Sequence, residues 1–442
     1  MKVSSIASPG RVLFNIQRFY AGAGAADVEA IKRAREARPF LHSDVTICKV
    51  NPKKLLKKPG PGDTLKFGQF FSDHMFEVDW SAANGWSKPS INPIHLLDLH
   101  PGSKCLHYAI ELFEGMKAYR GVDGKIRLFR PEKNMERMRR SAFRSALPVS
   151  PISTTLPNED KKLKIIIKTS SCLQMCCQLN AFQDFSAKEL LEIIKDLVSL
   201  DRDWVPKMDA SLYIRPTMIG TDKALGVGMA HEAKLFVVTG PVGIYFPGAV
   251  TLLADSDYVR AFRGGVGCYK MGCNYAPSIM VSTMAMSRGC HQVLWLYGPE
   301  EKITEVGTMN IMLFWKNEKG EEELVTPPVD DGLILPGVTR DSLLSLARSW
   351  NEFKVSERYV TMKEIRNAVK EKKMYEMFGV GTACVVSPVG KILYKNKDLG
   401  DYEELPIPTD THKPNLMQRL FQTITGIQFG KIEKPEWTPI VC

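Results

Sequence analysis

One lysine stands among four glycines in Arg263-Gly264-Gly265-Val266-Gly267-Cys268-Tyr269-Lys270-Met271-Gly272-Cys273-Asn274-Tyr275. Glycines let the backbone approach a ligand closely. A lysine held there can form a Schiff base once burial or a neighbouring charge lowers its pKa, although the same spacing also suits an ordinary turn lysine. Three further segments bear on the choice. Gly337-Val338-Thr339 follows Pro336 and opens an apolar run of helical period, where free backbone N–H groups hold a phosphate; it also reads as a plain helix entry. Glu305, in Thr304-Glu305-Val306-Gly307-Thr308, is an acid inside an apolar stretch. It is either a strand-end surface acid or the carboxylate that keeps a pyridine nitrogen protonated and makes the ring an electron sink. Gly379 to Ala383 offers small residues whose amides suit a carboxylate, or a tight turn. Together the four segments suit pyridoxal phosphate.

Such residues need elements to position them. Leu106, Ile110 and Phe113 recur at helical spacing across 105–114. Met116 to Arg120 reads as a strand, Asp123-Gly124 as a hairpin turn and Ile126 to Phe129 as the returning strand. Asn134 is placed to cap a helix carrying Met135, Met138 and Ala142. Ser186 with Glu189 and Thr361 with Glu364 form capping boxes, and Phe185 with Leu190 is spaced for a hydrophobic staple. Short strands at 212–215, 234–239, 292–297 and 311–315 alternate with these helices. The pattern predicts an α+β fold of two domains, with the Gly/Pro-rich connection at 240–250 as hinge.

The 442 residues carry a net charge of +10, which suggests nucleic acid until the charge is located. Residues 1–60 hold 12 Lys/Arg against 4 Asp/Glu, so the body of the chain is near neutral and charge-steered nucleic-acid binding loses its support. The 20 uncharged residues of 235–254 have the length of a membrane span, but five glycines and prolines make a strand followed by a connection the better reading. No CxxC, HExxH or GxxxxGK[ST] pattern occurs, which argues against a zinc ribbon, a zinc protease and a phosphate loop. The ten cysteines form no regular framework, as expected of free thiols in a reducing compartment. Residues 1–26 carry Lys2, Arg11 and Arg18, several serines and no acid, the composition of a mitochondrial transit peptide, with Arg18-Phe19-Tyr20-Ala21 suggesting a cut after Tyr20.

Taken in order, Leu106-His107-Tyr108, Phe113-Glu114-Gly115-Met116-Lys117-Ala118-Tyr119, the Gly264–Tyr275 run, Thr304–Asn310, Leu335-Pro336-Gly337-Val338 and Gly381-Thr382-Ala383-Cys384 resemble the eukaryotic branched-chain amino acid aminotransferases, fold-type IV pyridoxal-phosphate enzymes. The resemblance runs colinearly from about Phe67 to Ile432, excluding 150–184. It implies that Lys270 carries the cofactor and then moves the substrate's proton. It further implies that Tyr275 bonds the cofactor's phenolic oxygen, that Glu305 pairs with the ring nitrogen, and that Arg137, Val338, Thr339 and Thr382 hold the phosphate, with Thr308 also at the cofactor. The Thr382 and Ala383 amides would receive the substrate's α-carboxylate. Phe67, Phe113, Tyr213, Tyr245 and Thr308 would wall the apolar pocket, and Arg215 would serve glutamate's second carboxylate. Tyr108, Leu225 and Val227 would reach in from a second subunit, making a homodimer part of the site. The implied reaction moves the amino group of leucine, isoleucine or valine to 2-oxoglutarate in the mitochondrial matrix. Rival readings are a D-amino acid aminotransferase or lyase on the same fold, and a non-catalytic binding protein or impaired product of an aberrant transcript.

The expected layout is a leader at 1–20, a basic extension at 21–60, a small domain at 61–241, an interdomain loop at 242–250 and a large domain at 251–442 bearing Lys270. The ordered fold is expected to begin between Thr46 and Phe67. Residues 150–184 match neither a helical nor a strand period, and a structureless loop of this length inside a domain is uncommon. They read as a surface insertion or, preferably, as translated intron sequence. Vertebrate members of the family carry a Cys-x-x-Cys pair after Gly-Thr-Ala, proposed as a redox switch. Here Ser387 takes the second place, so Cys384 is expected to have no local disulfide partner, while Cys268 and Cys273 lie beside Lys270.

Overall fold

A computed structural model describes residues 39–60, 62–148, 185–207, 209–243 and 248–442. The leader, the 150–184 segment and Tyr245 lie outside the described residues.

Two nine-stranded sheets organise the chain. The first uses β1 (Thr46–Ile47), β2 (His74–Ser81), β3 (Gly85–Trp86), β4 (Ser90–Pro93), β5 (Glu111–Phe113), β6 (Met116–Arg120), β7 (Ile126–Leu128), β8 (Ser211–Gly220) and β9 (Glu232–Val242). Its order is β1-β4-β2-β9-β8-β6-β7, with β3 on β2 and β5 on β8. Alternate residues of β9 are buried along most of its length, as a sheet with one face on a core requires. That face is covered by α2 (Pro131–Arg144) and α3 (Ala187–Leu200), whose Leu190, Ile193, Ile194 and Leu197 are fully buried. A short helix, α1 (Lys104–Tyr108), precedes β5.

The second sheet comprises β10 (Val250–Ala254), β11 (Gln292–Tyr297), β12 (Lys302–Val306), β13 (Met309–Lys316), β14 (Glu322–Thr326), β15 (Lys354–Glu357), β16 (Met374–Gly381), β17 (Val385–Asn396) and β18 (Asp401–Pro406). The pairings β10–β11–β12–β13–β16–β17–β10 return on themselves, so six strands form a closed ring. Closure removes free edges from those strands. Its helices are α4 (Ser278–Ser287), α5 (Val338–Trp350), α6 (Met362–Lys370) and α7 (Leu416–Gln428). Tyr119 and Phe129 of the first half share one apolar cluster with Val338, Leu343, Leu420 and Ile424, so the two halves are joined by a common core.

Several local expectations are met. The 116–129 hairpin, all four short strands and the reciprocal Thr361–Glu364 box are present. Others are corrected. The helix expected over 105–114 stops at Tyr108, where Ala109 turns left-handed, and Glu111–Phe113 joins β8 as a strand. Asn134 does not cap α2, which begins at Pro131; its amide is buried against Glu114 and the Gly115 carbonyl. Ser186 caps α3 through the Glu189 N–H, but the Glu189 carboxylate accepts from the His42 N–H instead of closing the box. The ordered fold also starts earlier than expected, because Phe40 sits in the first core against Phe76 and Trp86. The C-terminus crosses back to the first half, where the Val441 N–H donates to Ile126 and the Ile126 N–H to Cys442.

Candidate active site

Lys270 is pinned by its backbone before its side chain is considered. Its N–H donates to Ser141 Oγ of α2 at 2.9 Å, and its carbonyl accepts from the Phe113 N–H at 3.1 Å. The glycine-rich segment is thereby held between the halves. Gly267 lies so close to the Leu333 and Gly332 carbonyls that a side chain would not fit. The ammonium end lies 3.3 Å from Tyr275 Oη and 4.6 Å from the centre of the Phe113 ring. Burial and the neighbouring Arg137 push the Lys270 pKa down from 10.5 to about 8, which is what a nucleophilic amine needs. Burial pushes the Tyr275 phenol up to about 12, so it is a proton donor at neutral pH.

Around Lys270 the two halves enclose a cavity of about 280 Å³. One end is basic. Arg137 of α2 is buried and bound through Nε and Nη2 to both oxygens of Glu114 at 2.7 and 2.8 Å, while Nη1 donates to the Pro336 carbonyl. Burial opposes ionisation of Glu114, but Arg137 outweighs it and holds the carboxyl below its usual range. A buried pair of this kind is poor evidence for stability; here it fixes the plane of the guanidinium. Beside it, α5 begins at Val338 behind Gly337. The first N–H groups of a helix have no intrahelical acceptor, and Val338 and Thr339 line the cavity together with Arg137.

The same cavity is lined by a buried acid. Glu305 on β12 is fully buried and accepts from the Leu335 N–H at 2.8 Å and from Arg260 Nε at 2.8 Å. Burial raises its pKa and Arg260 opposes the rise. Asn310, across the β12–β13 turn, adds a longer bond at 3.4 Å and anchors itself on the Leu335 carbonyl.

The remaining walls come from both halves. Phe67, Phe113, Tyr213 and Arg215 line the side of the first sheet, with the Arg215 guanidinium 4.7 Å from the Phe113 ring and 5.2 Å from that of Tyr213. Thr308, Thr382 and Ala383 line the other side, the last two in the three-residue turn between β16 and β17. Every expected cofactor residue therefore faces one cavity, as do Phe67, Phe113, Tyr213, Arg215, Thr382 and Ala383. Tyr108, Leu225 and Val227 do not. They are exposed together, with the Tyr108 hydroxyl donating to the Leu225 carbonyl.

Sequence reasoning passed over Glu114, Arg260, Asn310 and Lys117. Glu114 had the same signal as Glu305, an acid in an apolar stretch. Arg260 has no local signal; only the fold brings it to Glu305. Burial raises the Cys268, Cys273 and Cys384 thiols, Cys384 to about 12, so none is activated. Cys384 donates instead to Met309 Sδ at 3.0 Å.

Residues 111–392 match the family model for amino-transferase class IV. The chain is 52% identical over 434 residues to the cytosolic branched-chain-amino-acid aminotransferase of Caenorhabditis elegans, covering 96% of each chain. The chain belongs to the branched-chain-amino-acid aminotransferases. The mitochondrial enzyme of Rattus norvegicus is 48% identical over 379 residues, covering 85% of this chain and 86% of its own. The branched-chain amino acid aminotransferase of Thermobaculum terrenum, solved in its PLP form, shares the fold at a TM-score of 0.60 and 18% identity, covering 85% of this chain and all of that one. The cofactor of this family is pyridoxal phosphate, and the donor set fits it. Arginine and free helix amides suit the phosphate, a buried carboxylate suits a pyridinium, and a lysine with a lowered pKa suits the aldehyde.

Proposed function

We propose a division of labour among the cavity residues in the pyridoxal-phosphate-dependent transfer of the amino group of L-leucine, L-isoleucine or L-valine to 2-oxoglutarate. The observation that carries it is a Lys270 amine of lowered pKa, 3.3 Å from Tyr275 Oη, in one cavity that Arg137 and Glu305 also line. When bound, the cofactor supplies the electron sink that makes the substrate's Cα–H bond acidic. Arg137, the Val338 and Thr339 amides and Thr382 would hold its phosphate. Glu305, held by Arg260 and the Leu335 N–H, would pair with the protonated ring nitrogen, and Tyr275 would donate to the phenolic oxygen. Lys270 would be the amine that holds the cofactor's aldehyde, and its lowered pKa would let it take and return the proton at the substrate's Cα.

Substrate orientation follows from the walls. The Thr382 and Ala383 amides receive the α-carboxylate, and the aliphatic side chain lies against Phe67, Phe113 and Tyr213. A buried carboxylate without a partner is costly, so accepting glutamate in the same pocket requires Arg215 at its edge. The exposed apolar group of Tyr108, Leu225 and Val227 supports a homodimer in which these residues complete the neighbouring site. The basic, acid-free composition of residues 1–26 supports import into the mitochondrial matrix with cleavage after Tyr20.

The test is the visible spectrum of the purified holoenzyme. L-Leucine should convert the cofactor band to that of its amine form, 2-oxoglutarate should restore it, and Lys270→Ala should abolish the cycle. Retained turnover in Lys270→Ala would sink the assignment. Chiral analysis of the product separates L-glutamate formation from D-amino acid chemistry. N-terminal sequencing of protein from fractionated cells tests the cut after Tyr20.

A further inference from the structure

Lys117 is the buried cation for which the division of labour above has no use. It lies on β6, 5% exposed, one strand away from the aromatic walls. Its Nζ donates to the Ala383 carbonyl at 2.8 Å. Among the described residues it has no ion-pair partner, unlike Arg137 with Glu114 and Lys104 with Asp222. A buried ammonium without a counter-ion is costly, and burial lowers its pKa to about 8. Near neutral pH it is still mostly charged, and the side chain reaches the carbonyl of the turn whose Thr382 and Ala383 line the main cavity.

Two further observations concern the same place. Lys117, Thr339, Thr382 and the Gln428 side chain line a second, smaller cavity of about 10 Å³, room for a single water. Gln428 Oε1 there is buried without a hydrogen-bond partner among the described residues. The ammonium thus has one donor committed to Ala383 and others next to an acceptor-bearing pocket that touches Thr382. Besides Lys117, the turn is held by the Gly381–Val385 strand pair and by Cys384 Sγ on Met309 Sδ. It is three residues long, and it ends at Val385 in a left-handed conformation (φ 61°) that a β-branched residue rarely adopts.

We propose that Lys117 is a positioning residue for the carboxylate end of the substrate: by holding the Ala383 carbonyl it aims the Thr382 and Ala383 amides, and it places the positive charge that balances the bound carboxylate. Holding the Ala383 carbonyl fixes the Ala383–Cys384 peptide plane, and with it the end of the turn that carries the Thr382 and Ala383 amides. The counter-charge missing around Lys117 in the protein is then supplied by the substrate itself. This inference rests on the reading of Thr382 and Ala383 given under Proposed function.

The experiment compares holoenzymes bearing Lys117, Lys117→Met and Lys117→Arg. Two leucine-like probes are titrated by the shift they cause in the cofactor spectrum: 4-methylvalerate, which has the carboxylate and no amine, and L-leucinol, which has the amine and no carboxylate. Lys117→Met should weaken 4-methylvalerate about tenfold or more, the scale of a charge-assisted hydrogen bond. L-Leucinol should be nearly unaffected, and the KM for L-leucine should rise more than kcat falls. Lys117→Arg should restore part of the loss, and it carries the test if Lys117→Met does not retain cofactor. Equal losses for both probes, or an undiminished affinity for 4-methylvalerate, would overturn the role of Lys117 while leaving the substrate reading intact. A wild-type holoenzyme that responds to L-leucinol but not to 4-methylvalerate would overturn both.

Discussion

The lowered pKa of Lys270 can be tested without substrate. Burial and Arg137 disfavour the ammonium, Glu114 partly opposes them, and the balance moves the pKa from 10.5 to about 8. At pH 8 roughly half of the amine is then neutral, against about 0.3% for an unperturbed lysine, an advantage of about 150-fold in reactive amine. The sign follows from the direction of the shift. Lowering the pKa extends the neutral form to lower pH, so the reaction rate with an aldehyde should climb about tenfold per pH unit below 8 and level off above it. The assay exposes apoprotein to pyridoxal, which lacks the phosphate, so phosphate binding does not enter the measurement while the Arg137 charge still acts on Lys270. The adduct is trapped with borohydride and its yield at Lys270 is read by peptide mass spectrometry from pH 6 to 10. Exposed lysines in the same digest provide the unperturbed reference. A Lys270 profile that tracks theirs, still rising steeply between pH 9 and 10, would refute the electrostatic reasoning even if the residue proves essential.

Other expectations follow from the same geometry. Glu114→Gln should leave the buried Arg137 guanidinium without its counter-ion and destabilise the apoprotein by about 3–5 kcal/mol; adding pyridoxal phosphate should recover more melting temperature in this variant than in the parent, because the phosphate replaces the lost charge. Arg260→Met should raise the Glu305 pKa further and lower the rate of the leucine half-reaction, by about 100-fold if ionised Glu305 is what protonates the ring; stopped-flow spectra would read it, and an unchanged rate would remove Arg260 from the site. A Cβ on Gly115 would overlap the Tyr213 hydroxyl, so Gly115→Ala should displace that wall and raise the KM for L-leucine with little change in melting temperature. Phe40→Ala should cost about 3–5 kcal/mol in denaturant unfolding, as a buried aromatic does; a negligible change would mean that residues 39–45 contribute nothing to the first core.

The sequence by itself determined more of the site than of the elements around it. Lys270, Glu305, Gly337–Thr339 and Thr382–Ala383 are each contiguous with their own glycines or apolar neighbours, so their chemistry shows in a few adjacent residues. The hairpin at 116–129 and the cap at Thr361 are local for the same reason. Elements failed where a distant partner outbid the local rule. Leu106, Ile110 and Phe113 have helical spacing, but β8 offers an edge to Glu111–Phe113, and the chain takes it. Asn134 and Glu189 have the composition of caps, yet Glu114 and the His42 N–H claim their side chains. Tertiary structure alone closed six strands into a ring, carried the C-terminus back to Ile126, and set Glu114 against Arg137, Arg260 against Glu305 and Lys117 behind Ala383. These three charged contacts span 23, 45 and 266 positions of sequence. No periodicity or motif reports an interaction whose partners meet only once the chain has folded, within one half for the two ion pairs and between the halves for Lys117 and Ala383.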